Sequence, residues 1–201
     1  MISLSQIFFL ILTYLVASIP FGLVLSLIFA KKDIRKFGSK NIGATNVTRV
    51  VGKKLGFLTL ILDGVKGAFM VLAGRHFFHG IIGLDDYLYL VAFVAILGHV
   101  FSIYLKLKGG KGVATTIATL LALDLILGAI VVLTWLIFFA IFRISAMSAL
   151  VSMLAALILT IFGEYSIIQT IFMGLVFALI VVRHTENIKK IIKENKNARK
   201  R

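Results

Sequence analysis

Three polar clusters interrupt an otherwise apolar chain of 201 residues, and each pairs cations with small residues and hydrogen-bonding side chains. The second, Lys108-Gly109-Gly110-Lys111-Gly112, leads into Thr115 and Thr116 at the start of an apolar run. Glycines let a loop curl so that successive amides turn inward, and a helix N-terminus adds partial positive charge. Lys111 adds a full charge to the same spot. The chemistry this suits is phosphate binding; the plainer alternative is a glycine turn carrying cytoplasmic lysines. The Walker A spacing is absent, so ATP is not implied.

The first cluster, Gly38-Ser39-Lys40-Asn41-Ile42-Gly43-Ala44-Thr45-Asn46, offers Ser39, Asn41, Thr45 and Asn46 as hydrogen-bonders, with Gly38 and Gly43 allowing tight turns. Arg49 follows, and its planar fork suits bidentate contact with a phosphate. The alternative is an Asn/Gly-rich surface loop with helix caps. The third, Arg183-His184-Thr185-Glu186-Asn187, closes the last apolar run. If a helix continues there, His184 and Asn187 share a face; the alternative is an interfacial helix cap. Glu186 could orient an Arg or Lys of the site. Ser145 and Ser148 lie at the start of the run 144–162 next to Arg143 and could donate to an anion.

The elements that position these clusters are transmembrane helices. Hydrophobic residues make up 60% of the chain and Pro occurs once. Apolar runs cover 3–30, 55–74, 87–105, 113–142, 144–162 and 166–182, most of them near the ~20 residues needed to cross a bilayer. The first run is too long, and lacks a small-residue cleavage site, for a removable signal. The run 113–142 is long for one span and carries Asp124 near its middle. Breaking it there gives seven spans with the N-terminus outside, and puts 20 of the 22 Lys and Arg on the cytoplasmic side. Left whole, it would send Arg143 and the basic tail to the opposite face. The expected fold is therefore an all-α integral membrane protein of seven transmembrane helices, C-terminus cytoplasmic, with all three clusters on the cytoplasmic face. Residues 1–188 form the transmembrane domain and 189–201 a basic cytoplasmic tail near anionic headgroups. Residues 113–123 reach only about 16 Å, so the fourth and fifth helices must be short or tucked into protein. Ala114, Ala118, Ala122, Gly128 and Ala129 would let them pack closely.

The net charge of +14 lies in loops between spans, which fits the positive-inside bias and anionic lipid or substrate better than nucleic acid. No Cys is present, which excludes protein thioesters, disulfides and Cys-ligated metal. The His residues at 76, 79, 99 and 184 have no metal-site spacing. Asp63 and Lys66, three apart in the second span, are expected to pair, because a lone charge in lipid is costly. His99 reads as an interior histidine that could reach the site.

Gly-Ser-x-Asn-Ile-Gly-Ala-Thr-Asn (38–46) followed by Arg49, Gly-His-x-Phe (98–101) leading to Lys-Gly-Gly-Lys-Gly-Val-Ala-Thr (108–115), and Arg-His-x-Glu-Asn-Ile (183–188) resemble the signatures of the bacterial membrane acyl-phosphate:glycerol-3-phosphate acyltransferases. Ser18-Ile19-Pro20-Phe21 also resembles the family pattern. The resemblance implies a seven-helix bundle that moves a fatty acyl group from acyl phosphate to the 1-hydroxyl of glycerol 3-phosphate. It implies Ser39, Arg49, Lys111, His184 and Asn187 as the catalytic set. Asn41, Gly43, Thr45, Asn46, Lys108, Gly109, Gly110, Gly112, Thr115, Ser145 and Ser148 are then the expected substrate-binding residues, with Glu186 as structural support. No cofactor or metal is expected, and the partners are the two substrates and membrane lipid, with the chain a monomer in the bacterial plasma membrane. Lys40 stands where the family usually has Gly, and Ser102 where it usually has Pro after His-x-Phe. The first substitution is expected to alter affinity rather than abolish activity.

No His-x-x-x-x-Asp pair occurs, so the base of soluble acyltransferases is missing. The competing class is a transporter of phosphate or organophosphate anions, which would want polar groups at the midplane and often inverted repeats. Here the polar groups crowd one face.

Overall fold

The structure, a computed structural model, describes residues 2–198, with side chains placed as far as Lys193. Ten α-helices follow one another: α1 (Leu4–Ala17), α2 (Phe21–Ala30), α3 (Ala44–Val50), α4 (Lys53–Phe77), α5 (Leu84–Val100), α6 (Val113–Leu123), α7 (Leu125–Phe142), α8 (Ser145–Phe162), α9 (Ile167–Arg183) and α10 (Thr185–Ala198). No strand occurs among the described residues. Five stretches are long and apolar enough to cross a membrane: Leu4–Ala30, Lys53–Phe77, Leu84–Leu105, Leu125–Phe142 and Ser145–Phe162. A sixth exists if α9 and the start of α10, bent by 54°, count as one span. The remaining apolar helix, α6, is short.

The run 113–142 does break at Asp124. Its backbone turns extended there (φ −144°, ψ 111°), and its carboxylate accepts the amides of Ile126 at 2.8 Å and Leu127 at 3.0 Å. An acid that caps the next helix satisfies donors that would otherwise be orphaned.

The chain divides into two compact units, Met1–Ala129 and Ile130–Arg201. In the first, α4 lies against α1, α2, α3, α5 and α6, and α5 against α1 and α6. The short α6 is tucked into protein, as its length requires. A methyl on Gly67 of α4 would come within 2.7 Å of Thr115 Cγ2 and 2.9 Å of Thr119 Cγ2, and one on Gly64 within 3.1 Å of Ala118 Cβ. Small residues thus bring two helices into backbone proximity. Around them, Met70, Val71, Tyr87, Val91 and Ala92 form a buried core cluster.

The run 3–30 is one apolar stretch by composition but two helices in the structure. Pro20, which lacks an N–H, stands at the N-cap of α2, and the chain between α1 and α2 leaves carbonyls without helical partners. Two of these carbonyls are met from other elements. Ser102 donates its hydroxyl to Ser18 O at 2.6 Å, and Lys66 Nζ donates to Ile19 O at 2.8 Å. Ser102, the departure from the family pattern, therefore closes a buried backbone break.

In the second unit, α8 packs on α9, and the Thr170 hydroxyl donates to Thr160 O at 2.9 Å. Ser148, Ser152, Ala156 and Thr160 recur every fourth residue as the buried stripe of α8; Met173, Val176 and Ile180 form that of α9. The mostly small buried side chains of α8 fit the close helix packing that lipid favours. Of the tail expected at 189–201, the stretch to Ala198 is helical and residues 199–201 lie outside those described.

Candidate active site

The first polar cluster is built around one buried side chain. Asn46 sits on the inner face of α3, 2% exposed. Its Nδ2 donates to Asn41 O at 2.8 Å, Phe37 O at 3.1 Å and Ile34 O at 3.3 Å, while its Oδ1 accepts the Ser39 amide at 2.9 Å. Asn46, expected as a substrate contact, thus fixes the loop around itself. Gly38 has φ +58°, and a methyl on it would strike Asn46 Oδ1. Asn41 Oδ1 accepts the Gly43 amide at 2.8 Å, which sets the entry to α3.

On the outer face of the same helix, Thr45 and Arg49 lie one turn apart and exposed, and Ser39 is exposed beside them in sequence. These are the groups the loop offers to a ligand. Arg35 is not among them. It holds Asp33 at 2.8 Å, and its guanidinium keeps that carboxyl at about 2. The pair is intact above the ordinary carboxylate range and opens only as pH falls through about 2.

Lys40 has φ +58°, in the left-handed region where glycine is at ease. This is the physical reason a Gly suits the position. A side chain there costs ~1–2 kcal/mol, offset in part because Lys has less freedom to lose on folding than Gly. Lys40→Gly is accordingly expected within about 1 kcal/mol of the wild type, whereas Lys40→Val, with its β-branch, is expected to lose roughly 1–2 kcal/mol. Thermal unfolding of the two variants in detergent checks this; a Val variant as stable as the Gly variant would refute it.

The second cluster differs from the expected cradle. Gly109 donates its amide to Val100 O and Gly110 donates to His99 O, each at 3.0 Å, so these amides clamp the loop onto the end of α5. Both glycines are buried. The amides left for a ligand by the helix geometry are those after the turn. Gly112, at φ +90°, caps α6, whose first N–H groups have no helical acceptor. Half-buried Lys111 stands immediately before them and Lys108 is exposed. Thr115 is fully buried and donates its hydroxyl to Asp63 O at 2.9 Å, tying α6 to α4.

The first two clusters come together at one end of the first unit. Ile42 from the first cluster packs with Leu23 of α2 and with Leu105, three residues before Lys108 of the second. That contact brings Ser39, Thr45 and Arg49 to the end of the unit that carries Lys111.

The third cluster belongs to the second unit. His184 caps α9, is 3% exposed, and its Nδ1 is 2.8 Å from Ile180 O. A carbonyl only accepts, so in this contact Nδ1 carries a proton. Asn187 is half-buried in α10, one turn on, across the 54° bend rather than along a straight helix. Glu186 is exposed and pairs with the exposed Lys189 at 3.2 Å. Ser148 is buried and donates its hydroxyl to Ile144 O at 3.0 Å; in this conformation that proton is not offered to an anion, and Ser145 is half-buried at the start of α8.

Known proteins resemble this chain along most of its length. The family model for glycerol-3-phosphate acyltransferase matches residues 7–194. The chain is 42% identical to a glycerol-3-phosphate acyltransferase of Pelagibacter ubique, covering 89% of this chain and 90% of that one. It is 40% identical to one of Ehrlichia canis, covering 94% and 95%. Among solved structures, the crystal structure of PlsY (YgiH), an integral membrane glycerol 3-phosphate acyltransferase, aligns in its glycerol 3-phosphate form with a TM-score of 0.88 at 33% identity over 94% of this chain and 93% of that chain. Its lysophosphatidic acid form aligns with a TM-score of 0.84 at 32% identity. The chain belongs to the glycerol-3-phosphate acyltransferase family and is a membrane-integral acyltransferase.

Proposed function

We propose that the chain transfers a fatty acyl group from acyl phosphate to the 1-hydroxyl of sn-glycerol 3-phosphate, giving lysophosphatidic acid and inorganic phosphate, the first acylation of phospholipid synthesis. The observation that carries this is the meeting of two cation-bearing loops through Ile42, Leu23 and Leu105. Both proposed substrates bear a phosphate, and this end of the unit gathers Arg49, Lys108, Lys111 and the α6 N-terminus. A family relative solved in glycerol 3-phosphate and lysophosphatidic acid forms supports the same acceptor and product here.

In the proposed reaction the glycerol hydroxyl oxygen attacks the acyl carbonyl carbon, and the carbon–oxygen bond to phosphate breaks. Acyl phosphate is already activated, so no cofactor is needed. A substrate phosphate oxygen takes the hydroxyl proton, while Lys111, Arg49 and helix amides offset the growing negative charge. Ser39, His184 and Asn187 serve the polar part of the reaction. The chain works as a monomer of seven spans, with the short α6 as the fourth, the N-terminus outside and the C-terminus cytoplasmic. Residues 1–188 form the catalytic domain of the plasma membrane and 189–201 its basic tail. Charge bias and the break at Asp124 support that topology.

Protein reconstituted in lipid and given acyl phosphate with glycerol 3-phosphate is expected to release phosphate and a lysolipid in equal amounts. Anion flux across liposomes without either product would identify a transporter instead. Because the proton goes to substrate, His184→Ala is expected to keep the shape of the pH–rate profile; loss of the ascending limb would make His184 the base.

A further inference from the structure

Beneath the glycine loop, three helices of the first unit contribute charged or hydrogen-bonding groups to its interior. Asp63 and Lys66 come from α4 and His99 from α5, and they are 2%, 5% and 4% exposed. Thr115 of α6 joins them through Asp63 O. The charges of Asp63 and Lys66 account for each other, because Lys66 Nζ lies 2.9 Å from Asp63 Oδ1 and donates also to Ile19 O. An intramembrane ion pair of this kind is satisfied without a third member.

His99 is nevertheless drawn in. Its Nδ1 lies 3.6 Å from Asp63 Oδ1, so the far edge of the ring faces away from the carboxylate. That edge meets Gly110: a methyl there would overlap Nε2 and stand 2.7 Å from Cε1 and 3.0 Å from Cδ2. The same residue also holds the loop by its backbone, through the Gly110 amide at 3.0 Å. Carbonyl contacts survive a change of side chain; the ring contact does not.

We propose that His99 is a positioning residue, its imidazole wedged between Asp63 and Gly110 so that the glycine loop holds Lys111 and the α6 N-terminus in place for the acceptor's phosphate. This rests on the acyltransferase reading above. A loop that presents a charge and helix amides to phosphate must be held to a fraction of an ångström, since small misplacements are costly. The ring supplies that support from below. It touches neither substrate nor the reacting atoms.

Three variants in lipid nanodiscs separate the two ends of the ring. His99→Asn retains a nitrogen near the Nδ1 place, facing Asp63, and removes the edge under Gly110. His99→Gln extends an amide toward the Nε2 place. His99→Ala removes both. The Ala and Asn variants are expected to raise KM for glycerol 3-phosphate about tenfold or more, and Gln to recover to within roughly threefold of the wild type. Hydrogen exchange of the peptide over 106–112 is expected to quicken on the order of tenfold in Ala and Asn but not in Gln. Should Ala not fold, Asn and Gln decide the matter, because Asn keeps an amide near the Nδ1 place. Wild-type KM and exchange in the Asn variant would overturn the proposal, as would lost activity with an unchanged loop, which would place His99 in the chemistry itself. If the wild type releases no lysolipid, the acyltransferase reading fails, while the exchange comparison still tests the wedge.

Discussion

Lys111→Met is expected to lower kcat/KM by about 10²–10³, on the scale of removing a preorganised charge from a developing oxyanion. The loop geometry sets this size. The Gly109 and Gly110 amides are engaged by α5, so the turn's contribution to an anion narrows to Lys111 and the first amides of α6. Lys111 is half-buried, where its charge is screened less than that of exposed Lys108. Its effect is expected in kcat as well as KM, because charge on the leaving phosphate grows as the acyl–oxygen bond breaks. Arg49→Lys tests geometry instead of charge. It keeps the cation but loses the planar fork, and a loss of about tenfold or more is expected if that fork grips a phosphate in two places. Steady-state kinetics with both substrates varied measures each variant. A Lys111→Met enzyme within threefold of wild type would remove this residue from the proposed chemistry.

The helices were legible because lipid imposes a strong rule on composition: apolar runs of sufficient length mark them, and Asp124 marks a break through both charge bias and capping chemistry. The break at Ser18–Pro20 was harder to see. Ile19 and Pro20 do not lower apolarity enough to divide the run, and what makes the break tolerable is Lys66 and Ser102, some 47 and 84 residues along the chain. Inside the polar clusters the residues were legible as a group but their roles were not. Asn41, Thr45 and Asn46 look alike in sequence, yet the turn of α3 sends Asn46 inward and Thr45 outward. Likewise, nothing local to Gly109 and Gly110 announces that distant carbonyls of α5 will take their amides. The pairing of Asp63 with Lys66 was readable from spacing three; the approach of His99 to Asp63 depends on how α5 packs against α4.

Asn46→Ala is expected to abolish measurable activity while leaving the membrane-spanning helices folded. Four hydrogen bonds converge on this side chain, and alanine leaves three carbonyls and the Ser39 amide without it. The Ile34 and Phe37 carbonyls keep the amides of Phe37 and Lys40, so the groups left unmatched are Asn41 O and the Ser39 amide; at about 1–3 kcal/mol each, with water recovering part at the exposed Ser39 end, a local loss of roughly 2–4 kcal/mol follows. The penalty falls on residues 34–46, which pack through Ile34 and Ile42, whereas α4, α5 and α6 are joined by contacts that do not involve Asn46. The loop therefore opens before the bundle does. Limited proteolysis is expected to cut within residues 31–43 of the variant and spare the wild type, with the helical circular dichroism of the two nearly equal. Asn46→Asp refines the argument: it keeps an oxygen for the Ser39 amide but sets a second oxygen against three carbonyls, so it is expected to be no better than alanine. If the Asn46→Asp variant supported wild-type turnover with a closed loop, the donor side of this hub would not be what holds Ser39 and Arg49 in place.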